Sequence, residues 1–321
     1  MSDTIACTIP MDNDDEGFFG RECPSEECLG YFKIELGTGL QGDDLPCHCP
    51  YCGHTADHDH FWTQDQLAYA ESLATRKVQE LVEGMLKNAF STRRPRRNEF
   101  ISLSWEVKPG RPIPLHQYQE KQLETMLVCD KCGLRYAVYG VFAFCPDCGS
   151  HNSLQILEAN LDLAAKELEL AASVQGPLSG QLVSDALENA VSAFDAFGRE
   201  LFRVNADIAT DPAKAAAISC QNLKGLTKRV AALFEFDLSA SFNESEWRDL
   251  ERAFQKRHLI AHKMGVVDEA YVTATSDPHA RVGRKITIEA SQVGAVLPLV
   301  RRLGESVLDS LRDLRLSAVQ S

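Results

Sequence analysis

Hydrophobic positions along this chain change their period three times. Tyr31-Phe-Lys-Ile-Glu-Leu36 alternates like a half-buried strand, and Leu134 to Phe144 is a β-branched and aromatic run broken by Gly140. Between them, from Thr63 to about Phe90, Leu67, Ala70, Leu73, Ala74, Val78, Leu81 and Val82 recur at helical spacing with no proline. Phe100 to Val107 alternates again, and the proline-rich Lys108 to Pro114 predicts an extended connector. From Ser153 onward the period is helical. One stretch ends before Gly176-Pro177, a longer one carries Leu187, Val191, Phe194, Phe197 and Leu201, and Asp211-Pro212 opens another with proline in its first turn. Trp247, Leu250, Phe254 and Ile260 mark a further helix, started by Asn243 with Glu246 three residues on and stopped by Gly265. Arg284 to Ile288 reads as a short strand, and Ser291 to Leu316 as a last helix with Pro298 near its start or at a kink.

The cysteines change the picture of the first half. Eleven cysteines in a chain whose first residues lack a basic-then-apolar leader point to metal rather than disulfides. Eight form four knuckles: Cys23 and Cys28 as Cys-x4-Cys, then Cys49 and Cys52, Cys129 and Cys132, and Cys145 and Cys148 as Cys-x2-Cys. Two knuckles give four thiolates, the donor set of a closed tetrahedral Zn²⁺ site. Two structural Zn²⁺ sites are therefore expected, with no open position for metal catalysis. Cys49-Pro-Tyr-Cys-Gly53 and Cys145-Pro-Asp-Cys-Gly149 resemble the second knuckle of zinc ribbons. Cys47 and the histidines from His48 to His60 read as a solvated loop or as a further weak metal site.

The expected fold class is thus α+β and multidomain: two small β zinc ribbons and a long helix, followed by an all-α bundle. Expected divisions are a first ribbon over 1–62, a helix with a basic linker over 63–98, a second ribbon over 99–152 and a helical domain over 153–321. No run of 18 or more apolar residues occurs, so neither a membrane span nor a membrane partner is expected, and the cytoplasm is the expected location. The net charge of −13 has the wrong sign for a general nucleic-acid binder. Any nucleic acid must be gripped by local cations, of which Arg93, Arg94, Arg96 and Arg97 form the densest cluster. The same arginines also suit an exposed, solvated linker.

Candidate chemistry gathers at Arg257-His258-Leu259-Ile260-Ala261-His262. Phe254, His258 and His262 fall on one helical row, so an apolar stripe becomes a titratable patch within two turns. Cations at a helix C-terminus also answer the macrodipole, and that plainer reading stays open on spacing alone. Arg111 and His116 share the spacing in a stretch whose two prolines forbid an ordinary helix. The segment from Trp247 to Tyr271, with Arg257, a polar residue at 258, His262 and the exit residues Gly265, Val267, Asp268 and Tyr271, resembles the signature helix of HEPN domains. The likeness covers roughly residues 155–316, with its specificity in the 25 or so residues of that segment.

The resemblance implies a metal-independent endoribonuclease that pairs as a homodimer through the helical domain, with RNA as substrate and no catalytic cofactor. Arg257 would clamp the scissile phosphate, His262 would perform acid–base work, and His258 would orient substrate or share the proton transfer. Lys256 and Lys263 on the same helix would add RNA contacts. Products would carry 2′,3′-cyclic phosphate and 5′-hydroxyl ends, in a toxin, antiviral-defence or RNA-processing role. The alternative is a non-catalytic HEPN-like scaffold that dimerises while its ribbons bind a partner protein or nucleic acid.

Overall fold

A computed structural model describes residues 8–42, 45–91, 108, 110–116 and 118–320. The arginine cluster at 93, 94, 96 and 97 and the strand expected over 100–107 lie outside the described residues. The chain forms two compact units, one ending at Ser150 and the other starting at His151.

In the first unit, β1 (Phe18–Glu22) and β2 (Tyr31–Glu35) form an antiparallel hairpin, as do β5 (Thr125–Val128) and β6 (Arg135–Val138). The hairpins join where β2 pairs antiparallel with β6, Ile34 opposite Tyr136, giving the sheet order β1-β2-β6-β5. A second, two-stranded sheet consists of β3 (Pro46–His48) and β4 (Thr55–Asp57). The two cysteine-bearing segments therefore share one sheet. They also share one core, in which Phe32, Phe61, Leu134 and Tyr136 pack among the cysteines. Lys33 is buried in that sheet, its ammonium 2.6 Å from Asp14. Burial works against the Asp14 carboxylate, yet the hydrogen bond and charge of Lys33 together with the N–H groups of Phe18 and Glu16 outweigh it and hold the group below the usual carboxylate range.

The long helix α1 (Gln64–Ser91) begins with a reciprocal cap. The Thr63 N–H donates to Gln66 Oε1 (3.0 Å), and the Gln66 N–H donates to Thr63 Oγ1 (3.1 Å). Gln66 is fully buried and also donates to the Gly20 carbonyl, which ties α1 to β1. Farther along, Val78, Leu81, Val82 and Met85 remain exposed.

The second unit is helical. Its elements are α2 (Ser153–Ser173), α3 (Pro177–Val204), α4 (Pro212–Ala216), α5 (Leu223–Phe234), α6 (Glu244–Lys263), α7 (Glu269–Thr275) and α8 (Ala290–Gln320). Leu157 and Leu161 of α2, Val300 and Leu303 of α8, and the positions read from sequence as apolar at Phe194 and Phe197 of α3 and at Leu250 and Phe254 of α6 lie in one cluster. Phe194 meets Phe254 edge-on at 5.7 Å, linking α3 to α6. At Gly304 a Cβ would fall 2.5 Å from Leu157 Cδ2, so glycine is what lets α8 approach α2. Pro298 falls inside α8. Arg284 to Ile288 forms no strand; it makes a single bridge, Val266 to Lys285, with the Ile286 N–H donating to the Gly265 carbonyl (2.8 Å). One short turn of pairing is all the segment needs to close over the exit of α6.

Asp195 is a buried hub that sequence patterning passed over. It accepts from the Cys220 N–H (2.7 Å), Gln221 Nε2 (2.9 Å) and Arg199 Nε (2.9 Å), fixing the turn before α5 to α3.

Candidate functional site

Helix α6 is closed at both ends by its own sequence. Asn243 Oδ1 accepts from the N–H groups of Ser245 and Glu246, while Glu246 Oε2 accepts from the Asn243 N–H, each at 3.0 Å. At the other end Met264 (φ 53°) and Gly265 (φ 75°) turn left-handed, and the Gly265 N–H donates to the Leu259 carbonyl at 2.9 Å. The residues beyond have folding duties. Val267 and Tyr271 are buried with Leu259, and the Asp268 side chain caps α7 by accepting from the Tyr271 N–H (2.8 Å). Gly265, Val267, Asp268 and Tyr271 thus explain themselves structurally, which Arg257, His258 and His262 do not.

Those three stand at the border between core and solvent. Phe254, one turn earlier on the same row, is buried in the core, whereas His258 and His262 are exposed. Their rings lie side by side, centroids 4.8 Å apart at 56°. Arg257 is half-buried; its Nη2 reaches Ser192 Oγ on α3 at 3.4 Å, and its Nε is buried with no hydrogen-bond partner among the described residues. A guanidinium held from behind, with donors unused, beside two open imidazoles can bind an anion and exchange protons next to it. Lys263 is exposed at the same end. Lys256 is not free to reach out, because its ammonium donates to Gln292 Oε1 (2.7 Å) and the Thr287 carbonyl (3.2 Å).

The cysteines assemble as two sets, Cys23, Cys28, Cys49 and Cys52, and Cys129, Cys132, Cys145 and Cys148, with the sulfurs of each set within 4.8 Å of one another. The Sγ–Sγ separations are 3.7 Å for Cys23–Cys52 and Cys28–Cys49, 3.6 Å for Cys129–Cys148 and 3.5 Å for Cys132–Cys145. Four sulfurs about 2.3 Å from one Zn²⁺ would stand about 3.8 Å apart, so both sets fit a zinc ion. The distances are also far too long for disulfides, whose sulfurs lie about 2 Å apart. Burial drives the Cys23 thiol up to about 12 and Cys132 to about 11, whereas at Cys52 and Cys129 burial is outweighed by backbone N–H donors and the neighbouring thiols. Four adjacent thiolates cannot coexist without a cation among them.

The two sets mirror one another through their backbone. The His48 N–H, just before Cys49, donates to the Pro146 carbonyl (2.7 Å), and the Phe144 N–H, just before Cys145, donates to the Pro50 carbonyl (2.9 Å). Gly53 and Gly149 close the two knuckles at positive φ, 72° and 66°. Cys47 is fully buried outside both sets. Of the neighbouring histidines, His48 hydrogen-bonds with Thr55 Oγ1 (2.8 Å), and His60 lies with Asp57 and Asp59 in an exposed group.

No protein-family model, curated protein or solved structure matches the chain. The described residues contain no helix long and apolar enough to cross a membrane.

Proposed function

We propose that the protein is a metal-independent endoribonuclease of HEPN type whose first half is a pair of zinc ribbons. The observation that carries the reading is the cluster on the last turns of α6: Arg257 braced by Ser192, and His258 and His262 open to solvent with their rings 4.8 Å apart. RNA cleavage of this kind needs three services. A base takes the proton of the ribose 2′-hydroxyl as its oxygen attacks phosphorus, a cation steadies the charge growing on the phosphoryl oxygens, and an acid returns a proton to the departing 5′-oxygen. His262 performs the acid–base work, Arg257 clamps the phosphate, and His258 orients the substrate or shares the proton transfer. Lys263, and the arginines at 93, 94, 96 and 97, add charge along the RNA.

One chain offers one such cluster, so the reading calls for two copies to face each other through the helical unit. Zinc in each four-thiolate set would hold the ribbons in shape and take no part in the cleavage. A toxin, a defence enzyme or an RNA-processing nuclease would all use this chemistry in the cytoplasm.

The test is to incubate the zinc-loaded protein with RNA in buffer free of magnesium and calcium, beside His262→Ala and Arg257→Ala. The reading predicts fragments ending in 2′,3′-cyclic phosphate and loss of roughly 100-fold or more of the rate in each variant. Cleavage that survives both substitutions sinks it. A second reading, a non-catalytic HEPN-like scaffold, is favoured by the exposed apolar residues Val78, Leu81, Val82 and Met85 on α1, which suit a protein partner. A cleavage-silent protein that forms a stable complex through α1 would support it instead.

A further inference from the structure

We propose that the cavity where α6 meets α8 binds a small organic monoanion with an apolar body, its carboxylate held by Arg252 and Lys256. This goes beyond the nuclease reading and does not depend on it. The cavity has a volume of about 300 Å³, at the lower end of the range for small-molecule sites. One wall is apolar, built from Leu187, Ala253, Ile288, Val293 and Val296. The other carries Asp249, Arg252 and Lys256 from α6, with Asp277 and His279 from the loop after α7.

What this polar wall lacks, among the described residues, is a carboxylate hydrogen-bonded to either of its cations. Lys256 hydrogen-bonds to neutral partners, the Gln292 amide oxygen and the Thr287 carbonyl, while the carboxylates of Asp277, Glu289 and Asp249 act on it from farther away. Burial pushes its ammonium below the usual lysine range, so a desolvated cation there gains from an anion brought beside it. Arg252 Nε is buried with no hydrogen-bond partner among the described residues, and its closest carboxylate contact is Nη1 to Asp249 at a loose 3.9 Å. None of these acids hydrogen-bonds to either cation. The Asp249 side chain is about half exposed to water, and Asp277 already accepts from the Tyr271 hydroxyl (2.9 Å) and the His279 N–H (3.0 Å). Arg252 and Lys256 stand four residues apart on α6, which places both on the same side of the helix. A planar carboxylate between them would satisfy both, with its apolar remainder against Ile288 and Val293.

A charge ladder on one skeleton tests the idea with the full zinc-loaded chain. 3-Phenylpropionate, its neutral amide, the matching primary amine and phenylalanine are titrated by calorimetry and by ligand-observed NMR. The acid should bind one molecule per chain, roughly tenfold tighter than the amide, a ratio typical of one charge-assisted hydrogen bond. The amine should not bind, and phenylalanine should bind more weakly than the acid. Arg252→Gln and Lys256→Gln should each weaken the acid about tenfold and leave the amide unchanged, with phenyl-to-methyl nuclear Overhauser contacts falling on Ile288 and Val293. Equal binding of acid and amide, tighter binding of phenylalanine, contacts mapped elsewhere, or no binding of the acid at millimolar concentration would each overturn the proposal. The ladder on the unsubstituted protein decides the matter even if a variant fails to fold.

Discussion

The two units of this chain solve the problem of burial by opposite means. The helical unit packs leucines, valines and phenylalanines from α2, α3, α5, α6 and α8 into one cluster, and its charged hub, Asp195, has donors on every side. The sheet unit instead buries thiols among its aromatics, carries the Lys33–Asp14 pair, and sets the Arg21 guanidinium against the rings of Phe19 and Trp62, 5.0 and 5.1 Å from their centroids. Packing should decide the stability of one unit, and metal that of the other.

Stripping the zinc is the harshest way to test that contrast. Chelation, or Cys49→Ser together with Cys145→Ser, should remove on the order of 10 kcal/mol per site from the sheet unit. Near-ultraviolet dichroism from Tyr31 and Tyr136 should collapse while most of the helical far-ultraviolet signal stays. The converse change is Phe254→Ala, which empties a fully buried ring position against Phe194. It should cost the helical unit about 3–5 kcal/mol, seen as a lowered thermal midpoint with the zinc content unaltered.

Glu200 gives a milder, pH-dependent handle on the same unit. Burial would raise its pKa, but Arg203 and His151 outweigh burial and hold the carboxyl at about 2. A folded pKa below the unfolded value stabilises above pH 4 or so and loses that contribution as pH falls toward 2. Glu200→Gln should therefore cost about 1–3 kcal/mol near neutrality, a difference that closes in acid titrations of the two proteins. Smallest of all, Asn243→Ala removes the cap of α6 and should lower stability by about 1 kcal/mol in denaturant melts.

Local features were the ones legible in the sequence. Knuckle spacing identified the cysteines that meet, because ligands with two to four residues between them are brought together by a single turn. The start and stop of α6 were equally visible, since Asn243, Glu246 and Gly265 act within one turn of themselves. The pairing of β2 with β6 was not, because Ile34 and Tyr136 lie about a hundred positions apart and no periodicity reports such a match. Lys256 looked like a surface cation on its helix until α8 and the segment before it brought Gln292 and Thr287 to its ammonium. Ser192 behind Arg257, and the cavity beside Arg252, likewise depend on helices far apart in the chain.

The nuclease account rests on the ribose 2′-hydroxyl acting as nucleophile beside Arg257 and His262. An RNA in which one cleavage position has been mapped can be remade with a single 2′-O-methyl group at the nucleotide 5′ to that bond. The account predicts that cutting there disappears while other positions are cut as before. Undiminished cutting at the methylated position, or the absence of any mapped cleavage in RNA given to the zinc-loaded protein, would contradict it.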